Sequence, residues 1–275
     1  MNIRPKKSLG QNFLKSKIAL QKMLEAGEVN EQDIILEVGP GKGILTEKLL
    51  AKAKKVIAVE KDDRLISFLQ EKFAGEISAG KLEIIHGDIL EIPRSDLSAN
   101  LRSDLGISYK IIANIPYYIT GQFLRKFLES DYPPEKIVVM VQKEIAQRII
   151  ANDPSQRRAG KKESLLSISV KVFGQPKMIM KVDKNNFSPA PKVDSAVLLI
   201  SNISKNFFID NKISEKDFFA ILHAGFAHKR KILLSNLKTI FKAVDWEKAF
   251  IKANISVKTR AEDLSLENWK KLLAK

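Results

Sequence analysis

A chain of 275 residues with 44% hydrophobic content has the composition of an ordinary globular protein and the length to bury one large core or two smaller ones. It contains no cysteine and three scattered histidines, which excludes disulfides and thiolate zinc sites and gives no reason to expect a metal. The net charge of +15 is concentrated: residues 1–24 carry six Lys or Arg and no acid, residues 155–192 nine against two acids, and residues 223–242 five and none. Such clustering is the electrostatic footprint of a phosphate backbone, and Lys6, Lys7, Arg157, Arg158, Lys229, Arg230 and Lys231 are its expected contacts.

In chain order, the N-terminal arm reads KSLGQNFL over Lys7–Leu14 and leads into a helical pattern from Lys17 to Ala26 that carries Ile18, Leu20, Met23 and Leu24. The arm is basic but has no apolar h-region, and no apolar run of about 18 residues occurs anywhere, so neither a secretory signal nor a membrane span is expected. The cytoplasm is the expected compartment. Next comes DIILEVGPGKG (Asp33–Gly43), a short apolar run that stops at Glu37 and three glycines, followed at Ile44–Ala53 by apolar positions at helical spacing. The unit is strand, glycine turn, helix. Because glycine has no Cβ, such a turn lets a ligand approach the main chain closely. The spacing is not that of a dinucleotide fingerprint, since Ile44 occupies the sixth position after Gly39 and Gly41, and Gly43 comes one residue early. Taken alone, the glycines also read as a turn with no ligand.

A second strand, KVIAVE (Lys55–Glu60), ends in an acid 21 residues after Gly39. That is close to the offset of about 20 residues at which a strand-end carboxylate meets ribose hydroxyls. A third strand, KLEIIH (Lys81–His86), is followed by Gly87 and Asp88, and a fourth, YKIIA (Tyr109–Ala113), by Asn114. The stretch 89–108 between them is polar and turn-rich. A fifth strand, KIVVMV (Lys136–Val141), follows a helical Gly121–Glu129 and the turn Tyr132-Pro133-Pro134. Strands alternating with helices imply parallel βαβ units, with ligands at the carboxyl ends of the strands. One crevice is therefore expected to collect Glu37, Gly39, Gly41, Glu60, Asp88 and Asn114. Asp88 reads equally well as a helix cap before Ile89.

The expected chemistry lies in Asn114-Ile115-Pro116-Tyr117-Tyr118. An adenine N6 amine is a poor nucleophile because its lone pair is delocalised into the ring. Two acceptors for its hydrogens, the Asn114 side-chain oxygen and the main-chain carbonyl of Ile115, would localise that pair. Pro116 fixes its own φ and restricts Ile115, and Tyr117 offers a face to a base that has left its stack. A proline turn over buried aromatics is the alternative.

Further on, SLLSISVKVF (Ser164–Phe173) and VDSAVLLIS (Val193–Ser201) read as two strands pairing in a hairpin that closes the sheet. Between them, FSPAPKV (Phe187–Val193) is held extended by two prolines, so that Phe187 is expected opposite Tyr117 as a second wall for the base. From Ile213 on, only helices are expected, over Phe218–Leu237, Trp246–Ala253 and Ser265–Leu273. A boundary near residue 204 divides the chain into domains 1–204 and 205–275.

Taken together, QNFL (Gln11–Leu14), EVGPGKG, Glu60, Gly87-Asp88, NIPYY, FSPAPKVDS (Phe187–Ser195) and GFAHKRKILLSNL (Gly225–Leu237) resemble the ribosomal RNA adenine dimethylases, closest to those of the bacterial small subunit. The resemblance runs over nearly the whole chain. It implies an α/β fold: a Rossmann-like methyltransferase sheet, mostly parallel with seven strands and a C-terminal hairpin, and a small all-helical C-terminal rRNA-binding domain. It implies dimethylation at N6 of two adjacent adenosines in the 3′-terminal hairpin loop of 16S rRNA, within the small ribosomal subunit or its precursor. The implied cofactor is S-adenosyl-L-methionine, leaving as S-adenosyl-L-homocysteine, with no metal, and a monomer is expected. Carried over by position, Asn12 and Leu14 close over the cofactor, Gly39 lies against its methionine portion, Glu60 on the ribose and Asp88 on the adenine amine. Asn114 contacts both cofactor and target N6, between Tyr117 and Phe187. Where the family has two arginines in the C-terminal helix, this chain has His228-Lys229-Arg230-Lys231. Three rival readings are an enzyme acting on 23S rRNA, a DNA adenine methylase, against which Ile115 in place of a proline speaks, and an assembly factor that acts mainly by binding.

Overall fold

A computed structural model describes residues 4–6, 9–101, 108–151 and 162–273. Two compact units are formed, residues 1–146 with 175–203 and residues 147–174 with 204–275. The chain thus passes between units after Ala146, Gly174 and Ile203, where the sequence suggests one boundary near residue 204.

The first unit begins with β1 (Phe13–Leu14), α1 (Lys17–Gly27), β2 (Ile34–Val38), α2 (Ile44–Leu50), β3 (Lys55–Glu60), α3 (Asp63–Lys72) and α4 (Ala74–Ser78). It continues through β4 (Leu82–His86), α5 (Arg94–Leu101), β5 (Lys110–Ala113), α6 (Thr120–Leu128), β6 (Lys136–Gln142) and the first residues of α7 (Lys143–Ile149). After α8 (Leu165–Lys171) the chain adds β7 (Gln175–Val182), β8 (Phe187–Ser188) and β9 (Ser195–Ser201). Seven strands form one sheet in the order β4-β3-β2-β5-β6-β9-β7. The five strands from β4 to β6 are parallel, and β9 lies antiparallel between β6 and β7.

Strands buried on both faces are apolar nearly throughout, and β2 is buried at all five positions, of which only Glu37 is polar. On one face Ile35, Val56, Ala58, Ile112, Val138, Met140 and Val197 meet α1, α2 and α3 through Leu20, Met23, Leu24, Leu45, Leu49 and Leu69. In α1 the buried positions Ala19, Leu20, Met23, Leu24 and Gly27 follow helical spacing, and Ser16 caps its start. The sheet order puts the strand order reversal between β2 and β5, and their carboxyl ends flank the point where a crevice opens.

Two expectations are corrected here. Ser164–Phe173 is not a strand but contains α8: Ser164 and Ser167 form a reciprocal capping box, and Ser167 Oγ donates to buried Glu163 at 2.6 Å. These side-chain bonds nucleate a helix that the apolar alternation does not reveal. The partner of β9 in the closing hairpin is instead β7, an edge strand on which Pro176 is half-buried and Lys177 and Lys181 are exposed. The expected continuous helix Phe218–Leu237 is two helices, described next.

Within the second unit stand α8, α9 (Asn206–Asn211), α10 (Glu215–Phe226), α11 (Leu233–Ile240), α12 (Trp246–Lys252) and α13 (Leu266–Leu273). Its core includes Phe173, Phe207, Phe208, Phe218 and Phe219, whose rings contact one another at 5.3–6.3 Å. The break between α10 and α11 has a local cause. Buried Asn236 donates from Nδ2 to the carbonyls of Gly225 at 2.7 Å and His228 at 3.2 Å, taking acceptors that a continuing helix would use. Among the described residues no helix is long and apolar enough to cross a membrane.

Candidate active site

The turn after β2 places Gly39, Gly41 and Gly43 at φ of +70°, +58° and +71°. Side chains are disfavoured at two of them for separate reasons. A Cβ on Gly43 would lie 2.5 Å from the Phe73 ring, and one on Gly41 would lie 2.9 Å from the ring of Phe13 in the arm. At Gly39 the nearest atom to such a Cβ is the Asn114 carbonyl at 3.8 Å, so this glycine leaves its main chain open to the crevice.

Two carboxylates stand at neighbouring strand ends. Glu37 is 1% exposed, and its Oε2 has no hydrogen-bond partner. Burial pushes its pKa up to about 8; the nearby Thr46 hydroxyl works against the shift without making a well-formed bond, and the charge of Glu60 adds to it. Glu60 is buried too, but Oε1 accepts from the main-chain N–H of Lys61 and Asp62, both at 2.9 Å, and Oε2 from that of Gly41 at 3.2 Å. Its pKa is raised by burial, with those three N–H groups opposing the rise. A carboxylate offers about four acceptor sites, so one remains for a ligand hydroxyl. The orphaned oxygen of Glu37 fits a cationic group, and the open acceptor of Glu60 fits a hydroxyl. Such a donor set suits an amino acid attached to a nucleoside.

Asp88, after β4, is bound on both oxygens: Leu90 N donates to Oδ1 at 2.9 Å and Lys61 Nζ lies 2.7 Å from Oδ2. Burial opposes its ionisation, yet the lysine and the turn N–H prevail and its pKa is lowered. Asp88 thus caps a turn rather than the expected helix, since no helix starts at Ile89 and α5 begins only at Arg94. After β5, Asn114 Nδ2 donates to the main-chain carbonyl of Asn12 at 3.1 Å. Because that partner can only accept, the amide is oriented with Oδ1 left to face a ligand. Ile115 is 1% exposed, so any part it takes in the site is through its main chain. Pro116 has φ −58° and starts the 3₁₀ turn that carries Tyr117. Tyr117 is half-buried, its hydroxyl bonded to Ser195 Oγ, and burial raises its pKa so that the phenol stays neutral.

Asn12, Leu14, Glu37, Gly39, Gly41, Glu60, Asp88, Asn114, Ile115, Pro116 and Tyr117 all line one crevice. Phe187 does not. It is 2% exposed, paired with Leu14 through β1 and β8, and packed in the core. The motif FSPAPKVDS reaches the site through its last residue, Ser195, rather than its first. Sequence reasoning also passed over Lys61, the partner of Asp88, and Tyr118, which is 63% exposed at the crevice. In the sequence Tyr118 is marked only as the second tyrosine of NIPYY, and Lys61 only as the residue after Glu60.

Of the residues expected to meet phosphate, Lys7, Arg157 and Arg158 lie outside the described residues. Lys6 Nζ lies 3.4 Å from Asp62 of its own unit. In the second unit, Lys229, Arg230 and Lys231 are exposed on the turn that Asn236 holds between α10 and α11, and none of the three makes an ion pair among the described residues. A free, fixed cluster of cations is suited to an anionic surface.

The sequence model of a family described as ribosomal RNA adenine dimethylase matches residues 2–274. A ribosomal RNA small subunit methyltransferase A from Dehalococcoides mccartyi is 41% identical, over 98% of this chain and 88% of its own. Among solved structures, a dimethyladenosine transferase from Plasmodium falciparum superposes with a TM-score of 0.74 at 27% identity, covering 95% of this chain and 96% of that one. The 23S rRNA methyltransferase ErmE reaches a TM-score of 0.70 at 22% identity, over 95% and 98% of the two chains, a likeness of fold.

Proposed function

The chain belongs to the ribosomal RNA adenine dimethylase family and is an rRNA adenine dimethyltransferase, and on that premise we propose that its target is N6 of two adjacent adenosines in the 3′-terminal hairpin loop of 16S rRNA. The proposal includes a role in small-subunit biogenesis, in the cytoplasm, as a monomer. S-adenosyl-L-methionine, held by Glu37, Gly39, Gly41, Glu60 and Asp88 with Asn12 and Leu14 over it, would supply a methyl group on a sulfonium and leave as S-adenosyl-L-homocysteine.

The observation that carries this reading is the orientation of Asn114. With Nδ2 engaged by the Asn12 carbonyl, Oδ1 is free to accept one N6 hydrogen, and the main-chain carbonyl of Ile115 is proposed to accept the other. Localising the lone pair in this way activates the amine without a base, which suits a crevice where the neutral Tyr117 phenol is pinned by Ser195. The Tyr117 ring is the proposed stacking face for the extruded base. A second wall at Phe187 requires β1 to lift from β8, because the ring is buried beneath that pairing. Phosphate contacts are proposed for Lys229, Arg230 and Lys231, alongside Lys6, Lys7, Arg157 and Arg158.

The test is to incubate the protein with radiolabelled S-adenosylmethionine and, separately, unmethylated small subunits and large subunits, then digest the RNA. Labelled N6,N6-dimethyladenosine from two neighbouring positions of the small-subunit RNA is expected. Label in another nucleoside, or in the large-subunit RNA alone, would overturn the assignment.

A further inference from the structure

The arm that walls the crevice is held by a carboxylate outside it. Asp62 caps α3, and its side chain is fully buried while accepting from five donors. On Oδ2 these are Gln11 Nε2 at 2.8 Å and an Arg64 guanidinium nitrogen at 2.7 Å. On Oδ1 they are Arg64 Nε at 2.9 Å, Arg64 N at 3.3 Å and Lys6 Nζ at 3.4 Å. Gln11 also accepts from Lys6 N at 2.7 Å, and Arg64 reaches the Arg4 carbonyl at 3.3 Å. The arm is therefore tied to one buried acid by two of its side chains and, through Arg64, by its main chain. Arg64 above all, then Gln11, holds the Asp62 carboxyl well below the usual carboxylate range, so the latch is charged at neutral pH.

The same acid is wired to the ligand side. Asp62 N donates to Glu60 Oε1 at 2.9 Å, and Glu60 and Gln11 both line the crevice whereas Asp62 does not. We propose that Asp62 is a positioning residue that latches the N-terminal arm over the crevice through Gln11, and so sets how long a bound cofactor is retained. The inference rests on the S-adenosylmethionine reading above. Nothing in the methyl transfer itself requires Asp62 to touch a reacting atom.

Release of radiolabelled S-adenosylmethionine from the full chain, timed after dilution into unlabelled cofactor, tests the latch. Gln11→Ala and Asp62→Asn should each speed release about tenfold, and the double variant should be no faster than either single one. Asparagine remains a good cap for α3, so the second substitution spares the helix. Gln11→Glu should be faster still, because it sets a second carboxylate against Asp62, and adding Asp62→Asn to it should restore slow release by supplying an amide donor. Additive effects would mean that Gln11 acts on the cofactor directly, and they would overturn the latch, as would unchanged release or no restoration. If the unaltered chain binds no cofactor, the cofactor reading fails by itself. Hydrogen exchange over residues 9–14 then decides the latch: faster exchange in Gln11→Ala supports it and unchanged exchange refutes it.

Discussion

The ends of β2 and β3 bring two buried carboxylates to the same crevice in opposite states of preparation. Glu60 has three main-chain N–H groups on it and holds together residues 60–62 and the glycine turn through Gly41. Glu37, one strand over, keeps an oxygen with no partner and a pKa pushed up to about 8. A buried polar atom left without a partner is unfavourable by roughly 1–3 kcal/mol, which a ligand bringing a donor recovers. One carboxylate builds the site, and the other waits for a cation.

The difference predicts unequal responses to substitution. Glu60→Ala removes both a ligand acceptor and the acceptor for three N–H groups, so the turn loosens with the contact. Affinity for S-adenosylmethionine, measured by titration, should fall about 100-fold or more, while RNA affinity is retained. Equal losses in both would mean that Glu60 only supports the fold. Glu37→Gln keeps the shape and discards the charge, and an affinity loss of about tenfold is expected. Its pH dependence is the sharper reading. Because the folded pKa lies above the ordinary 4.5, protonated Glu37 carries no penalty below pH 4.5, and stability is lost as pH rises toward about 8. The melting temperature of the unaltered chain should therefore fall relative to Glu37→Gln between pH 5 and 8.5. A bound cation favours the ionised form, so cofactor affinity should tighten from pH 6 to 8 in the unaltered chain and stay flat in the variant. A flat profile in both would break the contrast between the two strand ends.

What the sequence made visible follows the same physical divide. The strands β2, β3, β5 and β6 are apolar runs that carry or meet Glu37, Glu60, Asn114 and Gln142 at their carboxyl ends, and burial on both faces leaves no other reading. At the edge this signal disappears: β7 mixes Gln175, Pro176, Lys177 and Lys181 with four apolar residues, because one side of it meets solvent. The serines of α8 alternate with apolar residues as a strand would, and only the side-chain bonds between Ser164 and Ser167 distinguish the helix. Phe187 illustrates a limit of reading aromatics. A phenylalanine just ahead of two prolines suits a stacking wall and a core equally well, and its pairing with the arm buries it in this structure. Both Glu37 and Glu60 were legible as strand-end acids, but their different hydrogen bonding depends on how Gly41, Lys61 and Asp62 turn back, which no spacing records.

Gly41 offers the finest test, since it belongs to the β2 turn but is held by the β3 carboxylate. Gly41→Ala should lower stability by about 1–2 kcal/mol through its left-handed φ of +58°. The new methyl would meet the Phe13 ring, which sits on the arm rather than in the sheet. The ring can shift, so the strand ends should keep their geometry while β1 moves away from β8. Cofactor affinity should then fall less than about tenfold, with faster hydrogen exchange confined to the arm. If exchange instead rose through β2 and β3, the glycine turn would be part of the sheet's own support, and the division between a prepared carboxylate and a waiting one would lose its basis.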